Sequence, residues 1–360
     1  MSSIVIRTDA SLRIGSGHLM RCRTLGEELK LRGAKVRFVC RRHNGNLNEL
    51  LRDTFSVHEL PSSIDSHNAV DDDYAAWLGV TQEQDAAETI AVLQGIRPDW
   101  LIVDHYSLDK TWESALRSHV GRIMVIDDLA NRIHDCDFLL DQNLGRDKSH
   151  YHHLVPEKCT VLIGPRYSLL RPEFAALRDY SLQRRANPQL KHLLISMGGV
   201  DQINATRQVL EAIKACALPD DLRITVVMGS NAPWLSQVET LAEQLPQPTE
   251  VKVNVQNMAQ LMADSDLAIG AGGSTTLERM CLGLPSIVVT VAENQKKSIK
   301  FLAAQGYLIY AGNNCDITKE DLTKTFSNLG KNSLIAFSDK SMLLVDGNGI
   351  KRVVKPILSF

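Results

Sequence analysis

A chain of 360 residues exceeds what one hydrophobic core comfortably supports and fits two domains of ordinary size. Its 44% hydrophobic and 23% charged residues have a globular balance, and a formal net charge of −2 gives no bulk attraction to nucleic acid or an anionic membrane. The seven cysteines are scattered without a C-x-x-C pair, which excludes a legible zinc site or disulfide frame and suits reduced thiols.

The N-terminus runs straight into a strand pattern, with no basic segment followed by an apolar one. No apolar run approaches bilayer length. No signal peptide and no membrane span are expected, so the cytosol is the default location. In the first half, β-branched apolar runs predict strands at 4–7, 36–40, 100–103, 123–126 and 138–140. Helices fit 18–32, 81–94 and 110–118. The strands are nearly continuous apolar runs, as expected where both sheet faces are covered. Residues 62–74, rich in Ser and Asp, read as a surface loop.

Residues 180–189 are polar and end in Asn187-Pro188, which predicts a linker. The pattern then restarts, with strands at 192–196, 223–228, 251–255, 267–269 and 286–291. Helices fit 205–217, 234–244, 275–282 and 296–305. The expected architecture is α/β, two doubly wound Rossmann-like domains facing a cleft, with boundaries at 1–180 and 190–360.

The first chemistry-bearing motif is R-T-D-A-S-L-R-I-G-S-G-H (7–18), between the first strand and the first helix. Its glycines permit a tight turn and expose N–H groups at a helix start. Position 20 is Met20 where a dinucleotide fingerprint has a third glycine, and Arg41-Arg42 closes the next strand where an acidic residue would hold ribose. NAD and FAD are therefore disfavoured. His18 falls in the first helical turn at the carboxyl edge of the sheet, where ligands bind. The positive helix end favours a neutral ring that can accept a proton. The alternative, a capping or structural histidine, is outweighed by the Gly-rich loop beside it.

D-H-Y (104–106) closes another strand, so Asp104, His105 and Tyr106 are candidate contacts, with a simple capped strand end weighing equally. Asp127-Asp128 is equally ambiguous. Adjacent strand positions point to opposite sides, which argues against a metal there. His150, His152 and His153 lie in a polar stretch without ligand spacing and are not read as a metal site. In the second half, S-M-G-G (196–199) and G-A-G-G-S-T-T-L-E (270–278) place glycines and hydroxyls after strands, an anion-binding pattern. Without a P-loop lysine, an ATPase is disfavoured. Glu278, one turn into the helix, suits the two hydroxyls of a ribose. Asn294 and Gln295 follow the next strand, as sugar contacts or as an ordinary helix start.

These runs, with Y-S-L-L-R-P-E-F (167–174) and V-D-G-N-G-I-K-R-V-V (345–354), resemble the UDP-2,4-diacetamido-2,4,6-trideoxy-β-L-altropyranose hydrolases of pseudaminic acid biosynthesis over nearly the whole chain. The resemblance implies a GT-B-like fold, a sugar-binding and catalytic domain over 1–180 and a UDP-binding domain over 190–360. It implies His18 as general base, with Asp9, Arg13, Gly17, Tyr106, Arg171, Asn294 and Gln295 around the sugar. An inter-domain salt bridge is the alternative role for Arg171. Gly198, Gly199, Gly272, Gly273, Ser274, Thr275 and Glu278 would hold UDP, the last because it precedes G-L-P (283–285). The reaction implied is water attack at C1 with inversion. Substrate and water are the expected partners, with no nucleic acid, no cofactor, no metal and a monomeric chain. The rivals are a GT-B glycosyltransferase, a nucleotide-sugar sensor, and a hydrolase of a related UDP-diacetamido sugar.

Overall fold

Residues 1–62, 74–230, 232–313 and 317–359 are described by a computed structural model. The expected surface loop at 62–74 lies, except for its two end residues, outside the described residues. The chain divides into two units, Met1–Leu169 with Asn348–Phe360, and Leu170–Gly347.

Among the described residues the first unit holds seven strands: β1 (Ser3–Thr8), β2 (Lys35–Arg41), β3 (Ser56–Leu60), β4 (Trp100–Asp104), β5 (Arg122–Ile126), β6 (Phe138–Asp141) and β7 (Thr160–Ile163). Their order is β3-β2-β1-β4-β5-β6-β7 and every pairing is parallel. Successive side chains leave opposite faces of a strand, so Ile4 and Ile6 join one buried cluster while Val5 joins another. Burial on both faces is what the continuous apolar runs encode.

The helix Gly349–Leu358 packs into the first of those clusters through Ile350, Val353, Val354 and Ile357. Trp100 Nε1 donates to its Ile357 carbonyl at 3.0 Å. A side chain at Gly349 would lie 2.4 Å from the Ser168 carbonyl, so only glycine passes there. The C-terminal residues thus return to the first unit, where the sequence expectation had kept them in the second.

The second unit holds β8 (His192–Ser196), β9 (Arg223–Met228), β10 (Thr249–Val253), β11 (Leu267–Ala271), β12 (Ser286–Thr290) and β13 (Ile309–Asn313). The order is β10-β9-β8-β11-β12-β13, again all parallel. The expected linker begins inside the helix Pro172–Arg185, which belongs to this unit. Its polar residues have structural employment: Arg185 donates to the Met262 and Ser265 carbonyls and Arg184 to that of Ala263. These carbonyls lie at the end of the helix Met258–Asp264, where cations are favoured.

Strands β3, β7 and β13 were not legible in the sequence. Each is a short sheet-edge strand whose residues are mostly only partly buried. Among the described residues, no helix is long and apolar enough to cross a membrane.

Candidate active site

In both sheets the strand order reverses beside the first strand, and neighbouring loops diverge at that point to leave room for a ligand at the carboxyl edge. In the first unit the reversal falls between β1 and β4. After β1, Gly15 N–H donates to the Ser11 carbonyl at 2.9 Å, and Gly15 takes a φ of 78°, which favours glycine. That turn delivers the chain into the helix Gly17–Leu31, with His18 buried in its first turn.

His18 Nδ1 lies 2.6 Å from Oδ1 of Asp104, the last residue of β4. Arg21, one turn along the helix, clasps the same carboxylate in bidentate fashion, Nε to Oδ2 at 2.6 Å and Nη2 to Oδ1 at 2.7 Å. Burial alone would raise the Asp104 carboxyl. Arg21 and His18 overcome that and hold it below the usual carboxylate range. An ionised carboxylate only accepts, so in the neutral ring the proton sits on Nδ1 and the lone pair on Nε2. The array extends sideways: Arg21 Nη1 pairs with Asp128 at 2.7 Å, and the Tyr106 hydroxyl donates to Asp128 at 2.7 Å. The Tyr106 ring stands edge-on to His18, with centroids 4.4 Å apart.

Asp9, His43 and His105 also converge, at the ends of β1, β2 and β4, with one ligand atom each within 4.8 Å of the others. Their hydrogen bonds speak against a cation. Ser107 N–H donates to His105 Nδ1 at 3.1 Å, so in the neutral ring the proton sits on Nε2, the atom facing Asp9. Burial lowers the His105 pKa and keeps that ring neutral, against the pull of Asp9. Asp9 is fully buried and accepts from Arg7 Nη1 at 2.6 Å and the Arg41 N–H at 2.7 Å, with His43 Nε2 at 3.2 Å. Its expected substrate contact is therefore corrected to a framework role, because its oxygens are already engaged. Arg13 is half-buried in the turn, and Gly17 opens the helix.

The reversal in the second unit falls between β8 and β11. Gly198 takes a φ of 102°, and side chains at Gly198, Gly199 or Gly273 would meet nothing within 4 Å, so this backbone is approachable. Gly272 is different: a side chain there would lie 2.7 Å from Ile299. No hydroxyl caps the helix Thr275–Cys281. Ser274 makes no side-chain cap, and Thr275 and Thr276 instead accept from Arg279 at 3.4 and 3.0 Å. Arg279 also donates to the Ala271 carbonyl at 2.9 Å. Burial pulls its pKa down to about 10, against the opposing pull of Glu278. A buried guanidinium therefore underlies the glycine loop, and Gly270 makes room for it.

Glu278 has a side chain 17% exposed, with Arg171 Nη2 3.9 Å away. Burial raises its pKa, and Arg171 partly offsets this. Arg171 pairs more closely with Glu173, at 2.9 Å, so both carboxylates beside it belong to the second unit. Asn294 Oδ1 is buried without a hydrogen-bond partner among the described residues. Gln295 is partly committed, its Oε1 accepting the Val291 N–H at 2.9 Å.

Residues 193–355 match the glycosyltransferase family 28 C-terminal domain. MurG of Acinetobacter baumannii superposes with a TM-score of 0.73 at 15% identity, covering 100% of both chains. The fold is GT-B-like. The chain is also similar to the UDP-2,4-diacetamido-2,4,6-trideoxy-β-L-altropyranose hydrolase of Campylobacter jejuni, 27% identical over 305 residues, 84% of this chain and 97% of that one. An uncharacterized protein of Methanocaldococcus jannaschii is 27% identical over 300 residues, 82% of this chain but only 57% of the relative's length. The resemblance read from the motifs is thus present along most of the sequence.

Arg21 and Arg279 were missed as site components by sequence reasoning, and Asp128 was left open between a contact and a capped strand end. Arg21 had a readable signal, since His18 and Arg21 are three apart and share a helix face. Arg279 had only the Thr275 and Thr276 hydroxyls one turn before it as a signal, since the Ala271 carbonyl at the end of β11 and the space over Gly270 are defined only once the chain folds.

Proposed function

We propose that this protein hydrolyses a UDP-sugar, with His18 as general base. The observation that carries the reading is the Arg21–Asp104–His18 array, which fixes the histidine tautomer and leaves Nε2 able to take a proton from water. The similarity to the Campylobacter hydrolase along 97% of that chain supports the finer reading. In it, the substrate is UDP-2,4-diacetamido-2,4,6-trideoxy-β-L-altropyranose and the products are UDP and 2,4-diacetamido-2,4,6-trideoxy-L-altrose.

Water attacks C1 opposite the leaving group, so the C1–O bond to UDP breaks and configuration inverts. UDP departs as a stable anion and needs no strong general acid. The glycine loops at Gly198–Gly199 and Gly273–Ser274 offer N–H groups to the diphosphate charge, while the Gly272 N–H is already given to the Val289 carbonyl at 3.0 Å. Glu278 suits the ribose hydroxyls, and Asn294, with its buried unpaired oxygen, suits an amide N–H of the sugar. Tyr106 and Arg171 complete the set of sugar contacts.

The family 28 match favours a second reading, transfer of the sugar to an acceptor by the same fold. An NMR time course in H₂¹⁸O decides between them. Hydrolysis puts ¹⁸O in the sugar, first as the inverted anomer, and His18→Ala abolishes it. Label in UDP would mean attack at phosphorus and overturn the mechanism. Sugar release only when an acceptor is added would favour the transferase.

A further inference from the structure

The second unit buries a cation without giving it a carboxylate partner. Arg279 is 2% exposed. Its Nη2 gives hydrogen bonds to the Ala271 carbonyl and the Thr276 hydroxyl, its Nη1 reaches the Thr275 hydroxyl, and its Nε is buried with no partner among the described residues. All of these acceptors are neutral. Glu278 acts on it only through space, and the cation within ion-pair reach of Glu278 is Arg171, at 3.9 Å. A buried charge left unpaired is costly, and such groups gather where a ligand supplies the missing partner.

The place of this charge points to the ligand. Gly270 pairs with Ser196 on the rung nearest the carboxyl edge of β11 and β8, the two strands at which the sheet order reverses. A side chain at Gly270 would lie 2.4 Å from Arg279 Nη1, so the guanidinium rests against that rung, beneath the two glycine loops. The loops themselves, 196–204 and 271–275, contain no Lys or Arg. Their one acid, Asp201, is spent on the Ala205 and Thr206 N–H groups at 2.9 Å each. Arg279 is therefore the full positive charge set under a backbone that otherwise offers only dipoles.

We propose that Arg279 is the fixed counter-charge for the nucleotide's diphosphate, acting through the glycine loop without touching the ligand. Burial is what makes this work: between charges several ångströms apart, a low local dielectric strengthens the attraction and salt screens it little. The inference rests on the UDP-sugar reading above and adds the residue that selects for charge at that site. Neutralising it should weaken diphosphate binding by about 10–100-fold.

Calorimetric titration with uridine, UMP and UDP tests it. The wild type should bind UDP roughly tenfold or more tightly than uridine. Arg279→Gln keeps a donor for the Ala271 carbonyl but no charge. It should lose about 10–100-fold for UDP, less for UMP and nothing for uridine. Arg279→Met carries the same expectation if the glutamine variant does not fold. Arg279→Lys keeps the charge without the fork and should hold UDP within about threefold of wild type. Lysine as weak as glutamine would reduce Arg279 to a brace for the loop and overturn the proposal. So would an equal loss for all three ligands, or a wild type that binds uridine as tightly as UDP. A wild type that binds none of the three would instead sink the UDP-sugar reading, and the counter-charge with it.

Discussion

The two units repeat one plan and fill it with opposite chemistry. Each is a parallel sheet whose order reverses beside its first strand, and in each the loops at that reversal carry the candidate site. In the first unit, side chains dominate: His18, Arg21, Asp104, Asp128 and Tyr106 form one hydrogen-bonded array. In the second, the glycine loops present mainly backbone, with the cation of Arg279 buried beneath and Glu278 at the side. The fold supplies the location, and loop residues decide whether it positions a proton acceptor or receives an anion.

The sharpest way to break the comparison is to remove a component from one unit and look for an effect in the other's task. His18→Ala should lower turnover by about 10²–10⁴-fold while UDP affinity stays unchanged by calorimetry. A parallel loss of UDP binding would mean that the tasks are not divided this way. Asp104→Asn should follow, lowering kcat by about 10²-fold or more at unchanged KM, because an amide no longer enforces the productive tautomer.

On the other side, Glu278→Gln should raise KM about 10–100-fold with kcat nearly preserved, since a hydrogen bond to a charged group is lost from uniform binding. Gly270→Ala tests the buried support. The new methyl would lie 2.4 Å from Arg279 Nη1 and 3.0 Å from the Ser196 carbonyl. A stability loss of about 1–3 kcal/mol, read as a lower Tm, is expected.

The smallest effect separates the units by pH. Asp104 has a folded-state pKa below its ordinary 3.8, so the stability it contributes is present above that value and lost as pH falls below it. Glu278 is raised, so its contribution runs the other way: protonation favours the folded state, and that advantage is lost as pH rises through its folded value. Calorimetric scans through acid should therefore show the Asp104→Asn variant losing less stability than the wild type below about pH 4, and Glu278→Gln losing more. Identical acid profiles for the two variants would refute the assignment.

The sequence was sufficient wherever local pattern and burial coincide. Central strands such as β4 and β12, buried along their whole length, were readable as apolar runs, and glycine loops behind them marked both reversals. His18 stood out for the same reason, as an imidazole one residue past a glycine-rich turn. Edge strands β3, β7 and β13 are short, lack a neighbour on one side and are mostly only partly buried. The linker expected from polar residues 180–189 began instead as helix, since Arg184 and Arg185 satisfy carbonyls far along the chain.

By itself, then, the sequence determined the parallel α/β class, the positions of the loops and the kinds of side chain they carry. These follow from hydrophobic periodicity and backbone freedom, which are local. Only the tertiary structure decided that Asp9 is spent on the framework, that Asp104 and Arg21 orient His18, and that Trp77 lines its flank. Each of those depends on which neighbour reaches a polar or aromatic group first, and residues 86 positions apart, such as His18 and Asp104, meet only because β1 and β4 pair in the sheet.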